Sequence, residues 1–146
     1  MAAMPDPLAD LLGYQIRRLS VLVMADLSAT LDTLGLRPPE ATVLLAIAGH
    51  AGLTQSDIGR MLGIKRANMA PLIGGLEARG LISRWAVDGR SQALALTAEG
   101  EVLHLAAQEA TRAHEQRLFG SLTHAERTRL ANQLRQLWQG RTAEVV

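Results

Sequence analysis

Leu8, Leu12, Ile16, Leu19, Val23, Leu27, Leu31 and Leu34 recur at steps of three or four residues. That spacing predicts a long amphipathic first helix of about seven turns, since such positions share one face at 3.6 residues per turn. Gly35 is the expected stop. After Pro38 and Pro39 the run Glu40 to Ala48 is almost wholly apolar, which predicts a short buried helix closed by Gly49 and Gly52. Thr54-Gln55-Ser56-Asp57 has the form of a capping box, with Asp where Glu or Gln is usual. It opens a helix carrying Ile58, Met61 and Leu62, ended by Gly63. A further helix from Lys65 to Arg79 places Met69, Leu72, Ile73 and Leu76 on one side, with Gly80 at its end.

From Leu81 to Val87 the helical period disappears and a strand is expected. Asp88-Gly89 supplies a turn, and Gln92 to Leu96 alternates as the return strand. Thr97 caps a helix running to about Phe119, and Thr123-His124-Ala125-Glu126 is a second capping box opening a last helix up to Gly140. The expected fold class is mainly α with a small β-hairpin wing: a winged helix-turn-helix over residues 37–97. The flanking segments, 1–36 and 98–146, carry more apolar stripe than so small a domain buries alone. They are therefore read as dimerisation helices intertwined with the central unit.

Composition narrows the function classes. With 48% hydrophobic residues the chain has material for a core, and with 3% aromatics that core is aliphatic. The absence of cysteine removes disulfides, zinc–thiolate sites and thiol redox sensing. No apolar run approaches the roughly 18–20 residues of a membrane span, and Asp6 and Asp10 near the start do not suit a signal peptide. The expectation is a cytoplasmic, nucleoid-associated protein without a membrane partner. The net charge of +1 says little, but its distribution says more. From Leu53 to Arg90 six basic residues face three acidic ones, a net of +3. The remainder holds nine against eleven, a net of −2. A basic middle between acidic ends suits a module that faces phosphates.

Three stretches carry a family resemblance. They are Leu53-Thr54-Gln55-Ser56-Asp57-Ile58-Gly59, then Leu76-Glu77-Ala78-Arg79-Gly80-Leu81-Ile82-Ser83-Arg84, and Asp88-Gly89-Arg90-Ser91 leading to Leu94-Ala95-Leu96-Thr97. With these the chain resembles the MarR family of transcriptional regulators from about Leu8 to Gly140, most specifically in the Asp-x-Arg wing tip. The resemblance implies a homodimer on double-stranded DNA at a pseudo-palindromic operator, in most cases as a repressor. It implies a recognition helix from Lys65 to Gly80 in the major groove and Arg90 in the adjacent minor groove, where a narrow A·T-rich tract concentrates negative potential. Asp88 is then expected to hold the Arg90 side chain across the turn.

Further DNA contacts are expected from the start of the recognition helix. Lys65 suits a phosphate, Arg66 a guanine or a phosphate, and Met69 belongs to the same candidate set. Asn68 has two readings: a reader of an adenine edge, or the N-cap of a helix whose first turn holds Pro71. Pro71 departs from the polar residues that relatives often carry there, so an apolar surface beside Ala67 and Leu72 would meet thymine methyls. Gln55 and Ser56, at the start of the preceding helix, would position a phosphate, as would Arg84 at the wing base.

Relatives often release DNA on binding a small aromatic acid. Tyr14, Arg17, Arg18 and His50 are the candidates for such an effector site, a guanidinium and a phenol fixing a carboxylate. Arg17 and Arg18 could instead pair with Asp10 and Asp26 along the helix. A metal-responsive variant would have to draw on His50, His104, His114 and His124, of which only His104 has a partner on its helix face, Glu101. No metal and no cofactor is expected. Nothing resembles a Gly-rich phosphate loop or a nucleophile elbow, so no enzyme is expected. The remaining rival is a helical interaction protein without DNA, which gives no reason for Arg84 and the Asp88–Arg90 turn.

Overall fold

The computed structural model describes residues 4–141. The outermost parts of the two terminal segments, 1–3 and 142–146, lie outside the described residues. The elements are α1 (Leu12–Asp32), α2 (Pro38–Gly49), α3 (Gln55–Leu62), α4 (Arg66–Ala78), β1 (Ile82–Ala86), β2 (Gln92–Leu96), α5 (Ala98–Phe119) and α6 (His124–Trp138). The two strands pair antiparallel, Ile82 opposite Leu96 and Ala86 opposite Gln92. Leu53–Thr54 extends this sheet along β2: Leu94 N–H donates to Leu53 O at 2.8 Å, and Thr54 bridges Ala93. The winged helix-turn-helix is therefore present, with a helix before it and two after it.

Two boundaries differ from expectation for local reasons. Asp6 Oδ1 accepts the Leu8 N–H at 2.9 Å and Asp6 O the Ala9 N–H at 3.1 Å, a turn that keeps Leu8 out of α1. At α2 the prolines lie inside the helix, at its first two positions, where their missing N–H groups cost no bond.

Two glycines fix where the reading elements begin. Gly63 (φ +65°) ends α3 in the left-handed region, and Ile64 N–H reaches back to Gly59 O at 2.9 Å. Gly80 (φ +70°) ends α4 the same way, with Leu81 N–H donating to Leu76 O at 3.0 Å and Gly80 N–H to Glu77 O at 2.9 Å. Each reversal aims the next element without leaving the last carbonyls of the helix unpaired.

The core lies within the winged-helix unit and under α5. Leu31, Val43, Leu44, Ile58, Met69, Ile73, Leu76, Leu94 and Ala107 are buried together. The termini are different. Of α1 only Leu31 is buried, and α6 buries nothing. Leu12, Ile16, Leu19, Leu22, Leu130 and Leu137 are all exposed. No described helix is long and apolar enough to cross a membrane.

Candidate nucleic-acid interface

The site is assembled from two helix starts and a hairpin tip. Thr54 caps α3: its Oγ accepts the Asp57 N–H at 3.2 Å and donates to Asp57 Oδ2 at 2.7 Å, while Thr54 N–H donates to the same carboxylate at 2.9 Å. These bonds, together with Arg60, lower the Asp57 pKa to about 2. Gln55 and Ser56 thereby occupy the first turn of α3, with Ser56 exposed.

Lys65 is the N-cap of α4, with extended backbone (ψ 141°) and no side-chain capping bond. Arg66 is its first residue and Asn68 its third. Lys65, Arg66 and Asn68 are exposed. Asn68 is therefore not the cap, and Pro71 sits inside the helix, where the missing N–H removes one backbone bond. The outer face of α4 continues as Ala67, Ala70, Pro71 and Gly74, all exposed, small and apolar. Met69 corrects an expectation. Only 2% exposed, it packs against Gly59 across the helix-turn-helix, where a Cβ on that glycine would stand 3.2 Å from Met69 Cγ. A side chain wedged between α3 and α4 cannot reach a base edge.

The wing corrects two more. Asp88 Oδ1 accepts the backbone N–H groups of Arg90 (2.9 Å) and Ser91 (2.8 Å), not the Arg90 side chain. These two bonds hold the Asp88 pKa below its ordinary value, the Arg90 N–H first. Val87 N–H to Ser91 O at 3.0 Å closes the turn. The aspartate orders the backbone, and Arg90 is exposed with no ion pair among the described residues. Arg84, expected at a phosphate, is engaged within the protein. Its Nε and Nη2 lie 3.0 and 2.8 Å from Glu77 Oε1, and Nη2 also reaches Gln55 Oε1 at 3.2 Å. Glu77 carried no expectation, because seven residues and a helix end separate it from Arg84.

Gln55, Ser56, Arg66, Arg84 and Arg90 line one open groove of about 1490 Å³, with Met69 at its floor. Lys65, Asn68 and Asp88 lie outside that lining.

The effector candidates are not gathered in this way. Arg18 Nη1 donates to the Tyr14 hydroxyl at 2.8 Å, and the Arg17 and Arg18 guanidinium carbons lie 5.6 and 5.7 Å from the Tyr14 ring centre. Tyr14 and Arg18 line a shallow recess of about 310 Å³ with Asp6 and Leu22, without Arg17 or His50. His50 caps α2 at the surface, its Nδ1 3.1 Å from Ala51 O. Asp26, considered a partner for the α1 arginines, instead binds His114 Nδ1 at 2.6 Å and Arg117 Nη2 at 2.8 Å on α5. That pairing of a buried histidine across 88 positions had no signal in the sequence. His104 is buried with its Nδ1 unpartnered while Glu101 is exposed, and among the described residues no three acidic or histidine side chains converge as a metal site.

A family profile described as the MarR family matches residues 34–91. The HTH-type transcriptional repressor Rv2887 of Mycobacterium tuberculosis is 30% identical over 128 residues, spanning 86% of this chain and 92% of that protein. Among solved structures, the transcriptional repressor CouR bound to a 23-mer DNA duplex superposes with a TM-score of 0.84 at 30% identity, covering 95% of this chain and all of that one. CouR bound to p-coumaroyl-CoA superposes with a TM-score of 0.80, also at 30% identity, covering 95% and 99%.

Proposed function

The chain belongs to the MarR family of transcriptional regulators, and from that premise we propose that it is a homodimeric repressor that reads a pseudo-palindromic operator. The start of α4 enters the major groove. Arg66 and Asn68 meet base edges there, and Lys65 meets the backbone. Arg90 enters the neighbouring minor groove. Gln55 and Ser56 hold a phosphate at the start of α3. The observation that carries this reading is Arg90 itself: a guanidinium with no ion pair among the described residues, on a turn ordered by Asp88 and sharing one groove with Arg66.

Residues 1–36 and 98–146 form the dimer in this reading. Support comes from the exposed leucines of α1 and α6, which a lone chain would leave in water. Two copies would space their half-sites at about 34–36 Å, one turn of DNA. An effector, an aromatic acid or its thioester, would release DNA by favouring a dimer in which the recognition helices no longer match that spacing. CouR's complex with p-coumaroyl-CoA supports that ligand class. Calorimetric titration with hydroxycinnamates and their coenzyme A thioesters tests it, and no heat with any of them removes it.

The deciding experiment is an electrophoretic shift with DNA from upstream of the gene, for the wild type and Arg90→Ala. We expect a discrete complex that the substitution weakens, with fold and dimer unchanged. No complex with the wild type overturns the reading.

A further inference from the structure

We propose that the end of α6 is part of the DNA interface, with Arg141 taking a backbone phosphate and Trp138 forming an apolar wall beside the adjoining sugar. This rests on the DNA-binding reading above and extends it beyond the helix-turn-helix and the wing.

Trp138 and Arg141 line the same open groove as Ser56, Arg66, Arg84 and Arg90, although they come from the opposite end of the chain. The groove wall is strongly basic. Arg60, Arg66, Arg84, Arg90 and Arg141 stand there against one carboxylate, Asp57. Arg60 is spent on Asp57 and Arg84 on Glu77. Arg66, Arg90 and Arg141 have no ion pair among the described residues. They come from three separate places: the start of α4, the wing tip and the turn that follows α6.

The size of the groove decides which anion fits. At about 1490 Å³ it exceeds the roughly 300–1,000 Å³ of ordinary small-ligand pockets. Cations drawn from separate elements around so large an opening suit a polyanion that passes through it, whereas a single small anion needs them converged. Duplex DNA is the polyanion that the neighbouring α4 and wing already address. Trp138 is 62% exposed, a large ring left in solvent at the end of a helix that buries nothing. Beside a sugar–phosphate chain its flat face meets deoxyribose while the arginine beyond it meets the phosphate. Such contacts hold the duplex without reading sequence.

The test is binding of the full chain to two duplexes of equal length, one from upstream of its gene and one of random sequence, over a range of salt. Arg141→Gln should weaken both several-fold and reduce the slope of log K against log salt by about 1.8, the share of two phosphates, one from each protomer of the dimer. The preference between the two duplexes should stay unchanged. Trp138→Ala should weaken both, with the sedimentation velocity of the free protein unaltered. If Arg141→Gln leaves affinity and slope at wild-type values, or tightens binding, the proposal is wrong. So it is, for Trp138, if its replacement acts only by dissociating the dimer. A wild type that binds neither duplex overturns the DNA reading itself, whereas loss in Arg90→Ala without loss in Arg141→Gln overturns this extension alone.

Discussion

Arg84 on β1 grips Glu77 on α4 through two nitrogens on one carboxylate oxygen, at 3.0 and 2.8 Å. Because Nη2 also touches Gln55, a single side chain joins β1, α4 and the start of α3. An arginine so engaged acts as a strut. It sets the angle between Arg90 and α4, the two parts that enter adjacent grooves in the proposed function.

A strut and a phosphate ligand respond differently when Glu77 is removed. As a strut, Arg84→Ala and Glu77→Ala should each weaken DNA binding on the order of tenfold, with the double variant little worse than either, since both break one contact. A phosphate ligand would be set free by Glu77→Ala, and affinity would rise. Fluorescence anisotropy on the four proteins of this cycle separates the two outcomes.

The parts legible in the sequence were those decided within a few residues. Thr54 and Thr123 with carboxylates three positions on are the caps of α3 and α6, and Gly63 and Gly80 are the reversals. Relations across the fold were not legible. Asp88 beside Arg90 invited a side-chain pair, but the backbone N–H groups lie nearer in a tight turn and take the carboxylate first. Met69 shared a face with Leu72, Ile73 and Leu76. Placing it at DNA went against that periodicity, and packing against Gly59 settled it. Nothing local told of Asp26 meeting His114.

Asp88 and Arg90 should weaken binding in distinguishable ways. Asp88→Ala leaves the Arg90 charge in place but frees the turn, so affinity should fall while the salt slope stays near wild type. Arg90→Ala removes one charge from each protomer's proposed DNA contact and should lower the slope by about 1.8 if each wing contacts one phosphate equivalent. Salt titrations of both variants check this. Identical slopes in the two variants would return Asp88 to a purely electrostatic role.

Gly100 joins α5 to the wing. A Cβ built there would collide with Leu81 O, a backbone atom that also accepts the Thr97 N–H at 3.1 Å. Neither side can yield alone, so Gly100→Ala should cost roughly 2–3 kcal/mol, at the severe end of overpacking. Thermal unfolding measures it. A melting temperature unchanged from wild type would mean that the contact between the start of α5 and Leu81, just before β1, is looser than the structure places it.

The cap of α3 should appear in acid. Asp57 titrates near 3.8 when unfolded and at about 2 when folded. Its contribution is therefore complete above the unfolded value and is lost as pH falls toward the folded one. Asp57→Asn should destabilise the protein at neutral pH and flatten the loss of stability between about pH 4 and 2. Urea unfolding at a series of pH values tests both. An acid limb as steep in the variant as in the wild type would assign that titration to other carboxylates.

Asp26 ties α1 to α5, and through them the exposed face of α1 to the winged helix. Its carboxylate is held below its ordinary pKa by hydrogen bonds from Arg117 first and His114 second. His114 is 2% exposed and Arg117 also donates to Thr30, so the cluster closes over a buried ring. Removing the carboxylate leaves that imidazole without its Nδ1 partner inside the protein, a loss that water cannot make good. Asp26→Ala should therefore lower the melting temperature by several degrees at pH 7. The gap to wild type should narrow as pH falls below the ordinary carboxylate range, because the wild type then protonates Asp26 and loses the same interaction. If the gap is constant with pH, the substitution acts through packing alone. If instead α1 is set by its dimer partner and not by Asp26, the variant keeps its melting temperature at high protein concentration and loses it only on dilution. Scans at two concentrations and two pH values distinguish the three cases.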